Sequence, residues 1–190
     1  MVILRATILM NNFLSSALCK RVGPNLTLTL VGLEDVNYIH TVRTDQHLNK
    51  YLSQTVGTVE DQRKWVQNYK YREKAGTELY YVIKRHDGIR CGLVRLYEIS
   101  AHSFAWGSWI LDHNKTEKAA WESSILSLQI GFELLKLDLC KIEVRKDNHK
   151  ARFIYDRLGM KIVGSNNFKL FLEYSRKDFQ IALSKWNSRI

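Results

Sequence analysis

The stretch Asn148-His-Lys-Ala-Arg-Phe-Ile-Tyr-Asp-Arg-Leu-Gly-Met160 decides how this 190-residue chain is read. Asn148 is a helix-capping residue type, and Ala151, Ile154, Tyr155 and Leu158 recur at the three- and four-residue spacing of one helical face. Gly159 closes that helix as a C-cap. Met160 to Val163 then reads as a strand, and Lys141-Ile-Glu-Val144 just upstream as another. The unit is strand, helix, strand.

Further upstream, Trp121, Ile125, Leu128, Phe132 and Leu135 form a stripe that Leu126, Ile130 and Leu134 widen, so a long helix is expected over Ala119 to Leu137. A helix apolar on most of its girth packs on a sheet and is covered elsewhere. Phe104 to Leu111 is a strand, and Leu79 to Arg85 and Arg90 to Ile99 are two more joined across His86-Asp87-Gly88-Ile89, a hairpin signal. Thr58 caps a helix carrying Trp65, Val66 and Tyr69, with Glu60 and Asp61 in its first turn and an end near Gly76. Before it come a strand at Leu26, Leu28 and Leu30 and a helix through Val36, Ile39 and Val42. Phe168 to Tyr174 and a helix from about Asp178 complete an α/β order with a mixed sheet.

The formal net charge is +10, from 29 Lys+Arg against 19 Asp+Glu, which favours anionic partners without choosing among nucleic acid, acidic membrane and small phosphorylated molecules. No two glycines are spaced by two, and there is no Gly-Lys-Ser/Thr, Gly-x-Ser-x-Gly or His-Glu-x-x-His, which excludes dinucleotide-fingerprint, Walker-type, hydrolase-elbow and zincin readings. Cys19, Cys91 and Cys140 are odd in number and far apart, fitting reduced, buried thiols of a cytoplasmic protein and no metal site. Met1 to Val22 is interrupted by Arg5, Asn11 and Asn12 and is too short to span a membrane. It reads as an extension, residues 1–22, before a single domain, residues 23–190.

Trp106-Gly-Ser-Trp-Ile-Leu-Asp112, the long helix, Lys141-Ile-Glu-Val144 and the Asn148–Met160 stretch together resemble the GNAT acyltransferases over roughly Leu26 to Tyr174. The most specific part is Asn148, Ala151, Ile154, Tyr155, Arg157, Leu158, Gly159 and Met160, eight matched positions in thirteen. Arg43-Thr-Asp-x-x-Leu-Asn-Lys-Tyr51 and Trp65 are similar to the branch of ribosomal-protein N-terminal and amino-sugar N-acetyltransferases. The resemblance implies a GNAT-like, mostly antiparallel mixed sheet with helices on both faces. It also implies an acetyl-CoA cosubstrate whose pantetheine bonds the fourth strand at Trp109, Ile110 and Leu111, and whose pyrophosphate sits on the start of the long helix.

The family's glycine-bearing pattern at that helix start falls on Lys115-Thr-Glu-Lys-Ala-Ala120. Lys115 keeps the family's first basic residue and Ala120, just after Ala119, its last small one, but the middle glycine is Lys118. A lysine there either obstructs the site or adds a compensating charge. The second is favoured because residues 141–161 hold seven Lys/Arg, Arg152 among them, against three acidic residues.

By periodicity Tyr155 is a packed core tyrosine; by resemblance it lies at the CoA sulfur and protonates the departing thiolate, a task that suits a phenol. Asn148 is a cap by pattern and a cofactor contact by resemblance. The general base is not identified by the sequence; Glu98 and His102 lead, with Asp112 and His47 behind. A backbone N–H at a fourth-strand bulge would meet the oxyanion. Trp106 and Trp109, three apart, are expected on opposite faces, with Trp106 on the acceptor side. Arg43 would pair with an acceptor phosphate and Trp65 would stack on a base or sugar, against core and cap roles for Trp65.

The expected function is N-acetylation, by direct attack, of a small amine, foremost a nucleotide-linked amino sugar. Rival readings are protein N-terminal acetylation, an acyl-CoA-binding domain without catalysis, and, on charge alone, a nucleic-acid module. No nucleic-acid or membrane partner is expected, and a homodimer is an open option.

Overall fold

The computed structural model describes residues 16–187. A short helix α1 (Ser16–Cys19) leads into β1 (Lys20–Val22) and β2 (Leu26–Leu30), followed by a 3-10 turn (Leu33–Asp35), α2 (Val36–Thr44) and α3 (Val59–Lys74). Then come β3 (Leu79–Arg85), β4 (Arg90–Tyr97), β5 (Ser103–Leu111) and α4 (Ala119–Gln129), which runs on as a π-helical turn (Ile130–Leu134). β6 (Leu139–Arg145), α5 (His149–Leu158), β7 (Lys161–Ser165), β8 (Lys169–Ser175) and α6 (Arg176–Asn187) follow. The eight strands form one sheet in the order β1-β2-β3-β4-β5-β6-β8-β7, antiparallel except for the β5–β6 pair. No described helix is long and apolar enough to cross a membrane.

Strand alternation builds a core on each face. On β3, Leu79, Tyr81 and Ile83 turn toward α4, α5 and α6, while Tyr80 and Val82 turn toward α2 and α3. Local signals act where they were expected. Thr58 and Asp61 exchange reciprocal bonds in a capping box, Asn148 Oδ1 accepts from the amide of Ala151, and Gly159 takes the left-handed conformation at φ 82°. All three cysteines are free thiols, and burial raises the pKa of Cys91, to about 11, and of Cys140.

Two expectations change. The long helix keeps α geometry only to Gln129; the π turn follows, and Lys136 at φ 58° ends it before Leu137. Gly131 lies in that turn against Phe104, where a Cβ would fall 2.3 Å from the ring. The N-terminal boundary also moves: β1 pairs with β2, Leu18 is buried, and Tyr81 donates to the Leu18 carbonyl, so residues 16–22 extend the sheet. The rest of the N-terminal stretch lies outside the described residues.

Glu122, in the first turn of α4 and 2% exposed, ties that helix to the start of β2. It accepts from the backbone amides of Asn25 and Leu26 and from Asn25 Nδ2. Glu122→Ala strands those amides, and a loss of about 3 kcal/mol is expected from the cost of unpaired buried donors. The urea midpoint, read at unchanged slope, checks it.

Candidate active site

The sheet opens at one place. β5 and β6 pair only at Ser103–Leu139, Phe104–Cys140 and Ala105–Lys141, and from Trp106 onward the two parallel strands part. The β6-facing backbone of β5 beyond Ala105 is therefore free for a ligand. A bulge lies in the parted segment: Arg95 pairs with Gly107 and Leu93 with Ile110, so Ser108 and Trp109 together oppose Val94, with Ser108 at φ 48°. The extra residue reverses the alternation. Trp109 joins Trp106 on the α4 side, ring centroids 5.3 Å apart, and Ile110 enters the α2–α3 core. This corrects the expectation of opposite faces for the two tryptophans.

On the α4 side the fork runs to the first turn of α4. Lys118 is the N-cap without a side-chain capping bond, and the helix begins at buried Ala119 and half-buried Ala120. Thr116 Oγ1, just before it, is buried without a partner. Uncapped helix amides beside an orphan hydroxyl suit a phosphate. Lys118 has φ −93°, a conformation open to any residue, and an exposed side chain, so lysine in place of glycine does not strain the backbone. Lys115 is exposed beside it.

Tyr155 closes the fork from α5. It is 5% exposed, edge-on to Trp106 at 5.7 Å and tilted to Trp109 at 6.4 Å. Burial first, then Cys140 and Tyr97, raise its pKa, so its phenol keeps its proton throughout the neutral range. Asn148 caps its helix, and Arg152 Nη1 donates to the Lys146 carbonyl.

The opposite, α2–α3 face carries a different set. On β6, Cys140, Ile142 and Val144 are buried, so Lys141, Glu143 and Arg145 face the other way. Glu143, in ion pair with Lys169 at 2.7 Å, comes two residues after the last β5–β6 pair, so the register sets it across the opening from Gly107. Tyr97 on β4 lies beside Gly107, 3.4 Å from where a Cβ would be, and Glu143 helps raise its pKa after burial and Glu98. Arg43, Trp65 and Arg95 complete this face. Arg43 donates to Thr55 Oγ1 and to Ser53 O and Oγ, anchoring the 45–58 loop. At the parted end of β6, Arg145 and Asp147 shift each other's pKa first through their own hydrogen bonds, and Lys50 and Tyr51 of that loop add a smaller electrostatic effect.

Residues 25–161 match the family described as "Acetyltransferase (GNAT) domain". The chain belongs to the GNAT acetyltransferases. No curated protein matches its sequence. Among solved structures, apo FdhC, described as a nucleotide-linked sugar GNAT, is 32% identical with a TM-score of 0.82, over 88% of this chain and 96% of that one. Two others show the shared fold. Spermidine N-acetyltransferase from Vibrio cholerae, with CoA and spermine, is 19% identical (TM-score 0.72, 83% and 99% covered). RimL, a ribosomal L7/L12 alpha-N-protein acetyltransferase with coenzyme A, is 16% identical (TM-score 0.71, 81% and 96% covered).

Within this GNAT chain the sequence candidates separate. Trp109, Ala119, Ala120 and Tyr155 surround one fork, and the backbone of Ile110 and Leu111 continues its edge. Glu98 and His102 do not join them. Both are exposed before Ser103, where β5 is still paired, and Trp109 lies six residues on, about 20 Å of extended strand. The His102 ring lies against Asp138, at 3.4 Å. Asp112 is taken up by the Tyr38 hydroxyl and the Asn114 amide, each at 2.7 Å.

Trp106 is 1% exposed with its indole N–H on Ser127 Oγ, a core residue rather than an acceptor contact. Trp65 stacks on Tyr69 and meets Tyr80 edge-on, with Arg72 and Arg95 at 5.2 and 5.6 Å from its ring, which leaves it no face for a base or sugar. Glu143 was missed by sequence reasoning. Its signal was the alternation in Lys141-Ile-Glu-Val144, which turns Glu143 away from the core.

Lys118→Ala is expected to leave the fold intact and to weaken acetyl-CoA binding about five- to tenfold, the range of one charge-assisted phosphate contact. Calorimetric titration at two salt concentrations checks it, with a shallower salt dependence in the variant.

Proposed function

We propose that this protein acetylates the amine of a nucleotide-linked amino sugar with acetyl-CoA, by direct attack within a ternary complex. The observation that carries the choice of acceptor is the composition of the α2–α3 face. On that face Arg72 and Arg95 share the buried carboxylate of Glu78 and Arg43 lies near Arg95, a surface suited to an anionic acceptor rather than a cationic peptide. The 32% identity to a nucleotide-linked sugar GNAT supports the same reading.

Acetyl-CoA supplies a thioester, an acyl carbon open to attack and a sulfur able to leave. Thr116 and the first amides of α4 hold its diphosphate, with Lys115 and Lys118 adding charge and Asn148 and Arg152 flanking from the start of α5. The freed backbone of Trp109 to Leu111 binds the pantetheine amides. A bulge amide of β5 faces the charge that develops on the carbonyl oxygen. Glu143, directly or through one water, takes the proton released as the amine forms its bond to the acyl carbon. Tyr155 gives its proton to the departing sulfur, for which its raised pKa keeps it protonated.

Transfer of radioactive acetyl to amino-sugar nucleotides is expected, and labelling of peptide N-termini alone would overturn the reading. Tyr155→Phe should lower kcat by about 100-fold with acetyl-CoA affinity within about twofold, and Glu143→Gln should lower kcat/KM about tenfold or more. Unchanged turnover in either variant removes that residue from the mechanism.

A further inference from the structure

The charges on the α2–α3 face do not balance. Glu78, 3% exposed, serves two guanidiniums at once: Arg72 Nε and Arg95 Nε each lie 2.7 Å from one of its oxygens. Arg43 brings a third positive charge, and its pKa is lowered by burial and by Arg95. Other carboxylates around the cluster are committed or distant. Glu73 is bound by Tyr69 and Lys70, Asp45 by the amides of His47 and Leu48, and Glu98 stands exposed beyond the end of β4. Three guanidiniums against one carboxylate leave two positive charges unmatched in a half-buried setting, where an unpaired charge is costly.

Arg95 is also incompletely bonded. Its Nε is buried and lies close to Glu78 without hydrogen-bond alignment, and its terminal nitrogens have no partner among the described residues. Its guanidinium is nonetheless held in place, 4.7 Å over the Tyr97 ring and 5.6 Å from Trp65. In the sheet Arg95 pairs with Gly107, the residue bordering the fork, so the cluster is one strand from the point of reaction.

We propose that Arg95, with Arg43, binds the diphosphate bridge of the acceptor, making this face a second diphosphate site across the sheet from the one at the start of α4. A diphosphate diester carries the two negative charges the cluster lacks, and planar guanidiniums suit its oxygens. The proposal rests on the amino-sugar reading and adds the place and residues of recognition. Trp65 then positions the arginines rather than stacking on the ligand.

Three measurements test it. In wild-type protein, thymidine or uridine diphosphate should inhibit competitively against the amino-sugar nucleotide and not against acetyl-CoA, whereas the nucleosides should not inhibit. Competition with acetyl-CoA alone would place the diphosphate at α4 and overturn the proposal. Arg95→Gln should raise acceptor KM roughly 20- to 100-fold with kcat within about threefold, and Arg95→Lys should recover part of the loss. An unchanged KM in Arg95→Gln overturns it while the amino-sugar reading stands. Should no amino-sugar nucleotide be acetylated, calorimetry of nucleoside diphosphate on CoA-saturated protein still reads the site. Binding lost in Arg95→Gln sustains the cluster as a diphosphate site, and absence of binding to the wild type ends it.

Discussion

The parting of β5 from β6 is the constraint on which the rest of the site depends. A strand that leaves its neighbour exposes backbone groups and loses the register that holds it, so something else must fix its position. Here α4 does so. Trp106 and Trp109 donate their indole N–H groups to Ser127 and Ser123, at 2.9 and 3.1 Å. Those serines are four residues apart, one helical turn, and so present one face to the strand. The bond from Trp109 exists only because the bulge at Ser108 turns its ring to the α4 side. One irregular residue in the parted segment therefore fastens the body of the strand to α4. Glu122, holding the first turn of that same helix to β2, extends the brace to the other half of the sheet.

The fork also divides the basic surplus into two settings. On the α4 side the lysines at 115 and 118 are exposed around uncapped amides, so charge there is mobile and screened by salt. On the α2–α3 face the cations are arginines, partly buried, stacked on aromatic rings and sharing one carboxylate. The first arrangement attracts an anion; the second fixes the orientation of one. The proposed ternary mechanism asks for both, because on that reading two phosphate-bearing molecules meet with their reactive ends in one opening while their charged ends stay apart.

What could be read from sequence follows the range of the interaction responsible. The Thr58–Asp61 capping box, the Asn148 cap, the Gly159 C-cap and the turn at Asp87-Gly88 each depend on residues within four positions, and all appear where expected. The faces of Trp106 and Trp109 depend on a bulge defined by pairing with β4, which spacing within β5 does not reveal. Glu98 and His102 lie away from the opening for a related reason. Nearness in sequence to β5 says nothing about which end of a parallel pair opens, and the opening lies at the end away from them. Lys20 to Val22 became a strand only because the β2 edge accepts it.

Tyr155 shows why packing and chemistry are not competing explanations for one residue. Its place on the buried face with Ala151 and Leu158 predicts a core tyrosine, and 5% exposure with two tryptophans against the ring agrees. The same burial raises its pKa, which suits it to the proposed role of proton donor to a departing thiolate. A more exposed phenol would offer its proton from a less fixed position. The helical periodicity that marks Tyr155 as structural is thus the means by which α5 aims it, and removing its oxygen tests the chemistry while leaving the packing in place.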